Sequence, residues 1–286
     1  MSIKLIDIFI SNYLIKNLYN LNNDLKTIIH SFVGFTPRSK KELKEAVDLW
    51  TDIQYDALEK FGHISYWNTQ NITDMSELFK FKISFNEVIN WDTRNVTNMS
   101  RMFYGAKSFN KSLSLDTKNV ASMFGMFWNA KSFNQPLYFN TRNVKNMSFM
   151  FHRAELFNQI LNFNTENVDN MSAMFYHAKS FNQTITFNTE KVANMSRMFE
   201  LAISFNQPLN FTNTEKVTNM SGMFYKALSF NQPLNFNTEK ATNMKFMFYG
   251  AKSFNQSLNL NINNFNMRFM FDGCPISPEN KNNCIL

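Results

Sequence analysis

Few residues in this chain are of a type and spacing that could do chemistry. There are four His, at 30, 63, 152 and 177, and two Cys, Cys274 and Cys284. The two Cys sit near the C-terminus, make no disulfide framework and match no zinc spacing. His152 and His177 lie 25 residues apart at neighbouring places of a repeat. A metal pair there lacks a carboxylate or Cys column to complete it. No Gly-rich phosphate loop, nucleophile elbow or pair of catalytic carboxylates is visible. The acids Glu166, Glu190, Glu215 and Glu239 recur at one repeated place. That column begins as Arg94, Lys118 and Arg142, so it reads as a solvated edge whose charge changes sign. No enzyme, cofactor or metal is expected.

What remains is binding. Tyr104, Trp128, His152 and Tyr176 share one repeated place, with Arg101, Lys107 and Arg153 beside them. Aromatic and Arg side chains are the usual anchors of protein interfaces. This row, from Tyr104 to Tyr176, is the expected contact zone for a partly acidic partner protein. Shielding of neighbouring helices is the alternative role for the row. A second candidate surface is polar and nearly uncharged, carrying Tyr138, Asn162 and Asn164. The net charge of +7 is spread without a concentrated basic stripe, so nucleic acid is not an expected partner.

These residues are positioned by a repeat. Nine Met stand in one column: Met75, Met99, Met123, Met147, Met171, Met195, Met220, Met244 and Met267. Eight more follow three places later, from Met102 to Met270, and Phe obeys the same ruler. The spacing is 24 residues with small departures, one of them an extra residue around Thr212. Nine copies begin at Trp67, Trp91, Leu115, Phe139, Phe163, Phe187, Phe211, Phe236 and Leu260. Met147, Met150, Phe151 and Ala154 follow the spacing of one helix face. Leu161 and Phe163 alternate with Asn162 and Asn164, a strand period. Each copy therefore predicts a short strand, a turn, a helix of one or two turns and a return loop. A single copy buries too little to stand alone, so copies must stack. Asn86, Asn110, Asn134 and their equivalents suit a ladder between copies. Asn98 and Asn146, just before the Met column, suit helix N-caps. The many glycosylation sequons fall on these places and read as by-products of the repeat.

The segment Asn95-Val96-Thr97-Asn98-Met99-Ser100-Arg101-Met102-Phe103, followed by Ala106, Ser108-Phe109-Asn110 and Leu113, resembles the BspA-like leucine-rich-repeat surface protein family. Such repeats occur in bacterial surface lipoproteins and in large DNA viruses. The resemblance covers Trp67 to Cys274. It implies an α/β solenoid, a leucine-rich-repeat-like stack of about nine 24-residue coils. It implies little about activity.

Three regions follow: 1–66 as an N-terminal helical cap, 67–274 as the repeat, and 275–286 as a C-terminal tail, loose from Glu279 to Leu286. Ser39-Lys40-Lys41-Glu42 is a capping box ahead of Leu43, Ala46, Val47 and Trp50, and a second helix is expected over 52–61. Residues 23–34 faintly resemble the first helix of an F-box, although Asn22 stands where Pro is expected. The functional expectation is a non-enzymatic protein-binding repeat scaffold and a monomer. The alternative is an F-box-like ubiquitin-ligase substrate adaptor. The N-terminus reads as a helix, not a signal peptide, and no apolar run is long enough to span a membrane. An intracellular setting follows, the host cytoplasm if the source is viral.

Overall fold

A computed structural model describes residues 34–211, 213–260 and 266–281. The F-box-like stretch up to Val33, the inserted Thr212 and Cys284 lie outside the described residues.

Helix α1 spans Lys40–Asp52 and helix α2 spans Gln54–Phe61. The capping box forms in a shifted version. Ser39 Oγ accepts from the Glu42 N–H at 3.2 Å, and the Glu42 carboxylate accepts from the Arg38 N–H, not from that of Ser39. The expected face is buried: Leu43, Ala46, Val47 and Trp50. α1 lies against the first copy. Lys40 Nζ donates to Asp74 at 2.9 Å, and Lys82 reaches back to Asp48 at 2.8 Å and Asp52 at 3.1 Å. The Trp50 ring meets Trp67 edge-on at 6.1 Å, and Trp67 stacks on Trp91 at the same distance. Trp67 and Trp91 donate their indole N–H groups to the carbonyls of Gly62 and Ile64.

From Trp67 onward successive copies lie one on another, but not as alternating helix and strand. Among the described residues the repeat contains no helix. Its pairing is reduced to isolated parallel bridges, one per step, from Asp74↔Asn98 to Asn243↔Asn266, with two more at Ile185↔Leu209 and Leu234↔Leu258. The helix expected over Met147–Ala154 is a run of tight turns. The backbone hydrogen bonds give the reason. The N–H groups of Met147, Phe149, Phe151 and Arg153 donate to Asn170, Ser172, Met174 and Tyr176 of the next copy, at 2.7–3.1 Å. Those of Met150, His152 and Ala154 donate three residues back, to Met147, Phe149 and Phe151. Alternate N–H groups are thus recruited across copies, and a continuous i→i−4 pattern cannot form. The side-chain spacing still points Met147, Met150, Phe151 and Ala154 inward, all fully buried.

Two residues in each copy accommodate this path with positive φ. They are the eleventh and fifteenth places, occupied by Arg101, Phe149, Ala173 and Arg197, and by Asn129, Arg153, His177 and Lys226. Five of the seven glycines stand at these same places: Gly105, Gly125, Gly222, Gly250 and Gly273.

The Asn columns also tie copy to copy or close turns. Asn134 Oδ1 accepts from the Asn158 N–H at 2.9 Å and from Gln159 Nε2 at 3.0 Å, and the pattern repeats at Asn110, Asn158, Asn182, Asn206 and Asn231. Asn146, expected as a helix cap, instead closes a turn by accepting from the Ser148 N–H at 2.9 Å. Buried Thr141 and Thr165 donate their hydroxyls to the next copy at 2.8 Å. Leu161 and Phe163 point in while Asn162 and Asn164 point out, without a continuous ladder. The described part of the tail, to Lys281, is tied to the repeat. Pro278–Lys281 forms one helical turn, α3, and Asn280 Nδ2 donates to the Asn255 carbonyl at 2.8 Å.

Candidate interaction edge

The tight turns form an outer edge that carries the eleventh, fourteenth and fifteenth residues of every copy. The fourteenth place holds the aromatic row. Ring centroids are 5.0 Å apart for Tyr104–Trp128, 4.7 Å for Trp128–His152 and 4.3 Å for His152–Tyr176, the last pair nearly parallel. The inter-copy hydrogen bonds set this spacing, so neighbouring side chains at one place must touch.

The row differs from expectation at His152. This residue is only 9% exposed, because its ring is enclosed by Trp128, Phe149 and Tyr176. Burial, helped by the Arg153 guanidinium, pushes its pKa down to about 3. His152 is therefore a neutral wall residue and not an exposed contact. Its Nδ1 is buried and makes no hydrogen bond. His177 lies in the neighbouring column, half-buried, with a lowered pKa from burial and Lys179. Among the described residues no three His, Cys, Asp or Glu come together to hold a metal.

Tyr104, Trp128 and Tyr176 are half-buried. Trp128 stacks on Phe149 at 4.9 Å, and Arg101 lies over Phe124 at 4.8 Å and Trp128 at 5.8 Å. Arg101 also pairs with Glu77 at 3.3 Å. Arg153 is exposed and makes no ion pair among the described residues. Together Trp128, Phe149, His152, Arg153, Tyr176 and Arg197 line an open groove of about 390 Å³. Sequence reasoning missed Phe124, Phe149 and Arg197. The glycines at the eleventh and fifteenth places were the available signal, since they mark both places as surface turns. Gly125 leaves the space that Trp128 and Arg101 use, because a Cβ there would lie 3.2 Å from the Trp128 ring.

Glu200 interrupts the row. Its side chain is 12% exposed, and burial pushes its carboxyl up to about 7 despite Arg197 at 3.6 Å and nearby Lys226. Beyond it, Tyr225 stacks on Tyr249 at 4.9 Å. In the fourth copy, two residues past the fifteenth place, Glu155 is clamped between Lys131 at 2.7 Å and Lys179 at 2.8 Å, which hold its carboxyl down to about 2. The polar surface carries Tyr138, which is 87% exposed, beside a smaller hollow of about 290 Å³.

A chain of stacked near-identical copies with one variable edge is a tandem-repeat protein. A family profile matches residues 50–162, 114–187, 159–261 and 185–283 in overlapping registers. The chain belongs to that family, described as Mycoplasma protein of unknown function, DUF285. No curated protein and no solved structure matches it. No described helix is long and apolar enough to cross a membrane.

Proposed function

We propose that the chain is a non-enzymatic protein-binding scaffold, a solenoid of BspA-like repeats that engages a partner through its aromatic edge. One observation carries this reading. Interior places repeat the same residue through the stack, while the edge varies and gathers Trp128, Tyr176, Phe149 and Arg153 around one groove. Large aromatic residues beside Arg, centred in a concave site, are the residue types that dominate binding energy at interfaces. A shielding role alone would not call for an unpaired exposed Arg153.

The test compares the full chain with the Trp128→Ala/Tyr176→Ala double variant. Both are used to capture partners from the native cell, and the affinity of a partner so found is measured for each. The double variant is expected to bind at least ~2 kcal/mol more weakly and to keep most of its stability. Unchanged affinity with reduced stability overturns the proposal and leaves the polar surface around Tyr138 as the contact.

A further inference from the structure

We propose that the groove between Trp128 and Arg197 accepts an acidic side chain of a partner polypeptide, with an apolar neighbour of that residue laid on Trp128 and Phe149. This rests on the reading of the edge as the binding surface, and names the chemistry that it selects. The groove, at about 390 Å³, has room for one or two side chains and not for a folded element.

Charge complementarity sets the ligand class. Arg153 projects at the groove with no ion-pair partner among the described residues, and Arg197 meets Glu200 only at 3.6 Å with its own side chain 65% exposed. Glu200 lines the next groove and not this one. Lys131 and Lys179 are committed to Glu155. Two guanidinium groups beside an aromatic floor, with no acid among the lining residues, favour a carboxylate, which Arg can bind in bidentate fashion. A cationic ligand would face both Arg residues. A long polyanion would run along the edge into Glu77 beside Arg101 and Glu200 beside Arg197. A short acidic segment fits both constraints.

The experiment titrates the full chain with two synthetic peptides, acetyl-Glu-Glu-Phe-Glu-Glu-amide and its Gln counterpart, at low salt. Tryptophan fluorescence is the readout. Trp50, Trp67 and Trp91 are at most 3% exposed, so Trp128 is the responsive fluorophore. The Glu peptide is expected to bind at least about tenfold more tightly than the Gln peptide, a difference of roughly 1.4 kcal/mol. Arg153→Gln and Arg197→Gln together are expected to erase that preference while leaving the Gln peptide unaffected and the melting temperature within a few degrees. Equal binding of the two peptides, no response to the Glu peptide at millimolar concentration, or a preference that survives in the Arg double variant overturns the proposal. A single-stranded oligothymidine that displaces the Glu peptide and binds more tightly also overturns it, by assigning the groove to nucleic acid. Equal peptide binding, together with partner loss in the Trp128/Tyr176 variant, leaves the binding edge standing and removes only its acid preference.

Discussion

Phe103, Phe127, Phe151, Phe175, Phe199, Phe224 and Phe248 carry one ring through seven copies, with successive centroids 5.5–5.7 Å apart and planes within 8° of parallel. One place further along the chain stand Tyr104, Trp128, His152, Tyr176, Glu200, Tyr225 and Tyr249. The two columns share a backbone ladder. The Phe column has a neighbour ring on each side and another from the same copy, such as Phe157 at 4.0 Å from Phe151. The edge column is less enclosed, with Tyr104, Trp128 and Tyr176 half-buried against fully buried Phe103, Phe127 and Phe175, although His152 itself is buried. Stacking inside therefore fixes residue type, because any change in ring size propagates to both neighbours. At the edge a change is absorbed by solvent, and residue type is free to follow a ligand.

The largest expected effect breaks an interior column. Phe151→Ala removes a fully buried ring that packs on Phe127, Phe157 and Phe175. We expect a loss of about 3–5 kcal/mol in urea unfolding. Trp128→Ala, despite its larger side chain, should lose less than half as much. Equal losses would show that the edge row is as structural as the core.

The Asn ladder gives the next effect. Asn134→Ala removes the acceptor of both the Asn158 N–H and the Gln159 side chain, at a half-buried position. A loss of about 1–3 kcal/mol is expected. Asn86→Ala, exposed in the first copy and accepting, among the described residues, from the Asn110 N–H alone, should lose clearly less. Denaturant midpoints for the two variants check the order.

Glu200 separates the two columns by pH. Its folded carboxyl sits near 7, against an ordinary 4.5. The folded protein keeps a proton that the unfolded chain releases, so stability falls as pH rises from about 4.5 to about 7 and stays low above that. Glu200→Gln should remove this fall and stabilise by about 2 kcal/mol at pH 8, with little change at pH 4. Glu155 behaves in the opposite way. Held down to about 2 by its two Lys partners, it contributes above about 4.5 and loses that contribution as pH drops toward 2. Melting curves of both Gln variants across pH should therefore flatten at opposite ends.

The Met, Phe and Asn columns were legible in the sequence because each reports one repeated environment. The inward face of Met147, Met150, Phe151 and Ala154 was legible too, yet the helix inferred from it does not form. Spacing of apolar residues reports which side chains face in. It does not report whether the N–H of Phe149 finds its partner four residues back or in Ser172 of the next copy. Tyr104, Trp128 and Tyr176 were recognised at the edge. The burial of His152 was not, because it depends on two neighbouring rings 24 residues away in either direction. The stretch Asn23 to Val33 lies outside the described residues, so the F-box resemblance gains nothing from the fold.

The smallest effect concerns the turns that build the edge. A left-handed backbone is unfavourable by roughly 1–2 kcal/mol for a non-glycine residue. Lys226 holds φ at 51° on an exposed turn, and Gly250 occupies the same place one copy later at 65°. Lys226→Gly should relieve the strain. The greater freedom of glycine in the unfolded chain offsets about 0.5–1 kcal/mol of that gain. A net stabilisation of about 0.5 kcal/mol is expected. Gly250→Ala should be destabilising by about 1–2 kcal/mol, because it adds the same strain and sets a Cβ 3.0 Å from Lys226 Cγ. The two changes are coupled through that contact. In the Lys226→Gly background the Cγ is gone, so Gly250→Ala should be less harmful than in the parent chain. A double-mutant cycle on thermal melts reads the difference. A neutral Gly250→Ala would mean that the turn can abandon its left-handed path. The edge side chains would then not be held by the inter-copy ladder, and the contrast between a fixed interior and a variable but rigid edge would fail.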